Sequence, residues 1–515
     1  MTNKIAIDFG NSNTAAAYWS GASMSAEILR IPGFSEAGSF LIPSQISYEP
    51  DGRFFIGNQI PEKASAEAGL FRWMKRYISL RSPYLLRIGD TRIDACRAAE
   101  DFLHAVTAAV FGAVGDRPDE LLISVPVESF EHYSEWLLNG MRRFDDIHVR
   151  LTDEAAAAAA GYGLTLHPGD TLLVVDFGGS TLQAVCVSVM EEAVQGRCCR
   201  VLGKAGAGIG GMTLDRWIFE EALKRTGYPE NDLRVRSGSG ELLRYCENFK
   251  KRLSAAETAE FDFFPDRSFR MARTDLEGLF RDHGLFDVLD HTMNEALRTA
   301  EDRGLRRDRL TAVVPVGGSC LVPSVREYIE SAYPSGMTLQ GEPLGAVARG
   351  AAVIAGGMHI YDFIQHDYAI RTTDPLTGAY VFRTIVRKGT KFPESRVTPK
   401  MKLKASYDGQ TRYGIAVYEL KEEDVPAVQM NEIFFGEDGS ARVLPLTEAE
   451  SRAEKLFWMN EQNPLFLSSD VPGEKGIPRF EVSFGIDGNK MLTVTALDAV
   501  SGRSILNEYP VVRLV

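Results

Sequence analysis

The chain has 515 residues, more than one hydrophobic core ordinarily serves, and its 44% hydrophobic and 25% charged residues are ordinary for a globular protein of roughly two to four domains. A net charge of -13 argues against nucleic-acid backbones or anionic membranes as main partners. The six cysteines lack Cys-x-x-Cys spacing and the density of a disulfide scaffold, so they read as reduced, mostly buried thiols. No apolar run approaches the ~18 residues of a membrane span, and MTNKIAIDFG has no charged leader with an apolar stretch behind it, so a cytoplasmic location is expected.

In chain order, the first informative stretch is KIAIDFGNSNTAAAYW, Lys4 to Trp19: an apolar strand ending in Asp8, a turn of small polar residues, and a second strand. Ala98 to Val114 has helical apolar spacing, and Leu121 to Val125 reads as a buried strand. LLVVDFGGSTLQAVCV, Leu172 to Val187, repeats the opening pattern with Asp176 at the strand end. LRYCENFKKRLS, Leu243 to Ser254, places Glu247, Lys250, Lys251 and Ser254 on one helical face beside an apolar stripe. TAVVPVGGSCLVPSVREYI, Thr311 to Ile329, is a strand ending in Gly317-Gly318-Ser319, with Pro323 near a helix start.

This α/β texture holds to about residue 360, and His359 to His366 is a connector whose aromatics suggest docking. From Asp367 the helical pattern nearly vanishes. Alternation of Phe480, Val482, Phe484 and Ile486 against Leu492, Val494 and Ala496 predicts a half-buried hairpin. Lys421 to Asn463 is an acidic, less regular insertion with a helical patch at Glu448 to Phe457.

A turn of small residues lets backbone N–H groups and hydroxyls approach an anion closely. Asn11, Ser12 and Thr14 offer this in the first copy, and Gly178, Gly179, Ser180 and Thr181 in the second. An Asp at each strand end suits Mg²⁺, which prefers oxygen ligands, keeps waters and bridges phosphates. Two such hairpins facing each other would clamp a nucleotide triphosphate. Neither Asp-Phe-Gly follows a His-Arg-Asp loop, and Asp8 has no nucleotide lobe before it, which excludes a protein kinase.

Taken in order, these segments resemble the DnaK-type, seventy-kilodalton heat-shock chaperone family, in a form without its C-terminal helical lid. IDFGNSNT is similar to the family's first phosphate motif, VVDFGGSTL to its second, VGGSCLVPSV to its adenosine motif, GAVARGAAVIAG to its second connecting helix, and CENFKKRLS to its adenosine-contacting helix. The resemblance implies an actin-like, ribonuclease-H-like two-lobed ATPase domain, with lobe I at 1–170 and lobe II at 171–358. A linker at 359–366 and a β-sandwich peptide-binding domain at 367–515 would follow.

It further implies ATP or ADP with Mg²⁺, held through water by Asp8 and Asp176. Lys75, Glu154, Asp176 and Thr181 are the expected catalytic set. Gly10, Asn11, Ser12, Asn13, Gly178, Gly179, Ser180, Gly210 and Gly211 would line the phosphates; Glu247, Lys250, Lys251, Ser254, Gly317, Gly318 and Ser319 would hold adenosine. Pro126 and Arg150 join Glu154 and Lys75 as the implied interdomain switch. Ile370, Tyr413, Ile415 and Phe480 fall near peptide-pocket positions, where the alternative reading is ordinary core. Implied partners are extended or unfolded polypeptides, a J-domain co-chaperone and an exchange factor, with the chain itself monomeric.

The departures bear on affinity and rate. Asn11-Ser12 replaces two Thr, Ser180 a Gly and Gln183 an acid; Leu321 stands for a stacking Arg, Leu344 for an Asp, and Met212-Thr213 for an acidic pair. The expected function is an ATP-dependent chaperone, with a nucleotide-binding adaptor of little turnover as the alternative. A small-molecule kinase or a filament-forming actin relative would leave the β region unexplained.

Overall fold

The computed structural model describes residues 4–60, 69–115, 118–126, 131–144, 146–163, 167–192, 196–232, 235, 238–339, 341–364, 366–373, 380–391, 397–398, 400–420, 431–435, 441–445, 456–460, 464–487 and 490–514. The expected Glu448–Phe457 helical patch lies outside them except at its end, where Leu456–Trp458 is a strand and not helix. Contacts divide the chain into two units, one drawn chiefly from residues before Asp362 and the other chiefly from residues after it.

The first unit is mixed α/β and repeats one arrangement. The apolar strand Lys4–Phe9 pairs antiparallel with Asn13–Ser20 and parallel with Glu120–Val125, which pairs parallel with His148–Asp153. Thr171–Phe177 likewise pairs antiparallel with Leu182–Glu192 and parallel with Ala312–Val316. Both first strands are central, so Ile5, Ile7, Phe9, Leu173, Val175 and Phe177 are fully buried, as the near-continuous apolar runs require. The duplicated sequence signature is therefore a duplicated hairpin with a parallel neighbour. His359–Tyr361, the first part of the expected connector, is a parallel edge strand on Gly196–Ala207.

Helices cover these sheets. The predicted 98–114 helix spans Ala95–Val114, capped by the Asp94 side chain on Arg97 N. The alanine run forms the helix Glu154–Gly163, in which Ala155 to Ala160 are buried. It touches the helix Ala346–Ala355 backbone to backbone: a Cβ on Gly350 would lie 1.7 Å from Ala157 O. Small residues at that contact are a steric requirement. Among the described residues, no helix is long and apolar enough to cross a membrane.

The second unit has only strands among its described residues after 366. One sheet runs Tyr380–Val386, Asp367–Thr373, Val417–Leu420, Leu456–Trp458; another runs Met401–Lys404, Pro478–Ile486, Met491–Asp498, Ser504–Arg513. Their inner faces share one core, with Tyr368, Ile370 and Val417 from the first and Phe480, Val482, Phe484 and Val494 from the second. The predicted hairpin forms with Phe484 opposite Val494 and Ile486 opposite Leu492. The connector's far end docks here: Phe363 and Ile364 are buried, and His366 pairs with the buried Glu419.

Candidate functional site

The site is built where the two duplicated turns of the first unit meet. Gly10 makes its turn so tightly that a Cβ would lie 2.1 Å from Asn13 O. In the second turn Gly178 N donates to Thr181 O at 3.0 Å. The tips touch, because a Cβ on Gly179 would lie 3.0 Å from Ser12 Oγ and 3.6 Å from Asn11 Cβ. Asn11 also accepts from Arg76 N at 3.2 Å and donates to the sulfur of Met212 at 2.6 Å, so its amide is held on both sides.

Behind the tips lies a buried charge cluster. Lys75, on the short helix Met74–Ser79, donates to Phe9 O at 2.8 Å and pairs with Glu154. Trp73, two residues before it, has φ +55°, a left-handed backbone that sets the helix's entry. Gln183 Nε2 bonds the other Glu154 oxygen at 3.1 Å and Thr181 Oγ1 at 3.3 Å. Ser124 Oγ donates to Asp8 Oδ1 at 2.6 Å.

Burial raises the Asp8 carboxyl above its ordinary range despite Lys75 and the Ser124 bond. Burial raises Glu154 too, against the pull of Lys75. Asp176 is raised well above its ordinary value, by burial and then by the negative charges of Glu154 and Asp8. Among the described residues no three acidic, His or Cys side chains converge as direct metal ligands, so Asp8 and Asp176 could meet a divalent cation only through its waters. The Ser180 hydroxyl, buried in the second turn, has no hydrogen-bond partner among the described residues. The two strand-end carboxylates and this hydroxyl fit a bound Mg²⁺–phosphate group.

Gly210 and Gly211 pack on the second turn: a Cβ on Gly210 would lie 2.4 Å from Ser180 C. Gly211 N and Met212 N donate to Gly178 O and Gly179 O at 3.0 and 2.9 Å. Ser319 Oγ also donates to Gly178 O, at 2.9 Å. Gly317, at φ +83°, sits where a Cβ would be 2.8 Å from Asp176 Oδ1, and Gly318 faces Leu344.

On the helix Ser239–Ala255, Glu247 and Lys251 pair at 2.8 Å. Burial works against the Glu247 carboxylate, but Lys251 and Lys250 outweigh it and its pKa falls below the usual value. Lys250 is directed inward, to Asp215 at 2.7 Å and Gly211 O at 2.9 Å. Ser254 Oγ bonds Lys250 O at 3.0 Å. Beside this face a cleft opens between Trp73, Tyr77 and Leu80 on one wall and Met212, Leu243 and Glu247 on the other.

Pro126 is buried just after Val125, which pairs with Asp153, so it ends its strand alongside Glu154. Arg150 is directed elsewhere, to Glu120 at 2.5 Å, which also pairs with Lys4 at 3.2 Å. In the second unit Ile370, Tyr413, Ile415 and Phe480 are all buried in the shared core, with the Tyr413 and Phe480 rings edge to face at 5.2 Å. Sequence reading missed Ser124, Asp153, Lys204 and Asp215. For Asp215 a signal existed: an acid beside Leu214 and Ile218 in the apolar pattern following Gly210-Gly211.

Two strand-end carboxylates, a buried lysine close to both and glycine turns that touch thus make up the centre of the site. The Hsp70 protein family model matches residues 147–434, more than half of the chain. The chaperone protein dnaK1 of a Nostoc species is 25% identical over 545 residues, covering 98% of this chain and 71% of that protein. The chaperone protein DnaK of Trichormus variabilis matches equally, and that of Elusimicrobium minutum is 24% identical over 518 residues, covering 97% of this chain and 75% of its own length. The chain belongs to the Hsp70 family.

Proposed function

We propose that this protein is an ATP-dependent molecular chaperone. In that reading the first unit is an actin-like, ribonuclease-H-like ATPase with lobes at 1–170 and 171–358. Residues 359–366 are the linker, and the β-sandwich of 367–515 binds extended polypeptide. The carrying observation is the buried Lys75–Glu154 pair, close enough to Asp8 and Asp176 to act on both carboxyls, beside two touching turns. Family membership and the DnaK chaperone relatives support it.

Asp8 and Asp176 would hold Mg²⁺ through its waters, and the ion, when bound, neutralises phosphate charge. The chain's own part is positioning. Lys75 presents an ammonium beside the first turn, and the Glu154 carboxylate, braced by Gln183, orients a proton-bearing group near Thr181. Ser180 supplies an unengaged hydroxyl to the phosphates. Glu247, Lys251, Gly317 and Gly318 would line the nucleoside. Lys250 acts through Asp215, bracing the helix start under the second turn.

One observation favours the adaptor reading. The amides of Gly211 and Met212 and the Asn11 side chain are taken up by protein partners, so fewer donors face a phosphate. Weaker nucleotide binding than the family's usual level follows. Single-turnover ATP hydrolysis by the purified chain, with and without an apolar extended peptide, decides between the readings. Peptide-stimulated turnover supports the chaperone, and ATP binding with no turnover supports the adaptor.

A further inference from the structure

Consecutive carboxylates at the start of the Glu154–Gly163 helix are gripped by two side chains of one strand pair. The Lys204 side chain is 1% exposed, and its Nζ lies 3.1 Å from Asp153 Oδ2. Asp153 Oδ1 accepts from Ala156 N at 2.8 Å, capping the helix. The neighbouring Glu154 carboxylate accepts from Gln183 Nε2 at 3.1 Å. Val185 lies opposite Lys204 and Gln183 opposite Gly206 in the antiparallel pair, so Gln183 and Lys204 are diagonal neighbours on one face of it.

An ammonium this buried persists only against a fixed counter-charge. Here that counter-charge is also the helix cap, so Lys204 bears on the backbone that carries Glu154. Asp153 is close enough to raise the carboxyls of both Glu154 and Asp176. Removing the Lys204 charge would leave it uncompensated next to Glu154.

We propose that Lys204, together with Gln183, clamps the first turn of this helix and so sets the Glu154 carboxylate against Lys75. Lys204 is then a positioning residue for hydrolysis, in the strand pair that follows the second phosphate turn. The proposal rests on the ATPase reading above, and its test separates the two.

The full-length chain is compared with Lys204→Met, Lys204→Arg and the double variant Lys204→Met/Asp153→Asn. Three quantities are read: amide exchange at Ala156 to Ala158 without nucleotide, equilibrium ATP binding and single-turnover hydrolysis. Lys204→Met speeds the exchange and slows turnover by about tenfold or more, with ATP affinity changed far less. Lys204→Arg restores both. The double variant, which removes both charges of the pair and keeps a capping side chain, regains the wild-type melting temperature while turnover stays slow.

Wild-type exchange and turnover in Lys204→Met would overturn the clamp. So would a double variant with full turnover, because Lys204 would then serve only to neutralise Asp153. If the wild-type chain binds ATP without hydrolysing it, the ATPase reading fails and the exchange comparison alone decides the clamp.

Discussion

The Lys250 ammonium lies 2.7 Å from the Asp215 carboxylate, both side chains buried beneath the turn of Gly210 and Gly211. Burial, more than any neighbouring charge, pushes the Asp215 carboxyl up to about 7, with Lys250 opposing. The fold therefore holds a proton on Asp215 that the unfolded chain has released. That contribution to stability is complete below about pH 4 and is lost as pH rises to about 7, with a slope of up to about 1.4 kcal/mol per pH unit. Asp215→Asn should flatten the dependence of the melting temperature on pH between about 5 and 7. An unchanged slope would refute the assignment.

Lys75 is held by Phe9 O and Glu154 and faces the turn that would receive the phosphates. Lys75→Ala should keep ATP binding and lose about 100-fold in single-turnover hydrolysis. Because the change strands Glu154, Lys75→Met/Glu154→Gln serves as the folded control. Unaltered turnover in either variant removes Lys75 from the chemistry.

Leu321 is 45% exposed, so its replacement disturbs no core. If the nucleoside lies against Gly317 and Gly318, Leu321→Arg supplies a guanidinium that can stack on the base and should tighten ATP binding by about 3- to 10-fold. Calorimetric titration of the variant against the wild type measures this. No gain would move the base away from this turn.

Gly350 and Ala157 bring two helices into backbone contact. Gly350→Ala must push them apart and should cost about 3 kcal/mol or more, lowering the thermal transition of the first unit and leaving any separate transition of the second unit in place. Equal melting would contradict the 1.7 Å approach.

Tyr413 and Phe480 meet edge to face inside the second unit's core. Tyr413→Ala should cost about 3–5 kcal/mol in stability, whereas Tyr413→Phe, which loses only the hydroxyl's 3.3 Å bond to Gln410 O, should cost about 1 kcal/mol. Chemical denaturation gives the first comparison. Binding of an apolar peptide by Tyr413→Phe, equal to wild type, is the second.

The strands and hairpins were legible because their signal is local. Alternation along Phe480 to Ile486 and apolar runs ending in Asp8 and Asp176 fix which faces are buried, whatever surrounds them. The order of the motifs likewise carried the family. Legibility was poorer for charge pairing. Glu247 and Lys251 are one helical turn apart and could be paired on paper, but the sequence offers no rule that joins Lys75 to Glu154 across 79 residues or Lys204 to Asp153 across 51.

By itself, then, the sequence determined the duplicated turns, the change from α/β to β texture near residue 360 and the set of groups available for phosphate and metal. Only tertiary structure decided which of those groups face one another. It turned Lys250 inward to Asp215, drew Arg150 off to Glu120, placed Lys204 under the helix cap and put all four expected pocket residues in a core. The physical reason is that backbone periodicity is settled within a few residues. Where a buried charge finds its counter-charge depends on elements brought together from distant parts of the chain.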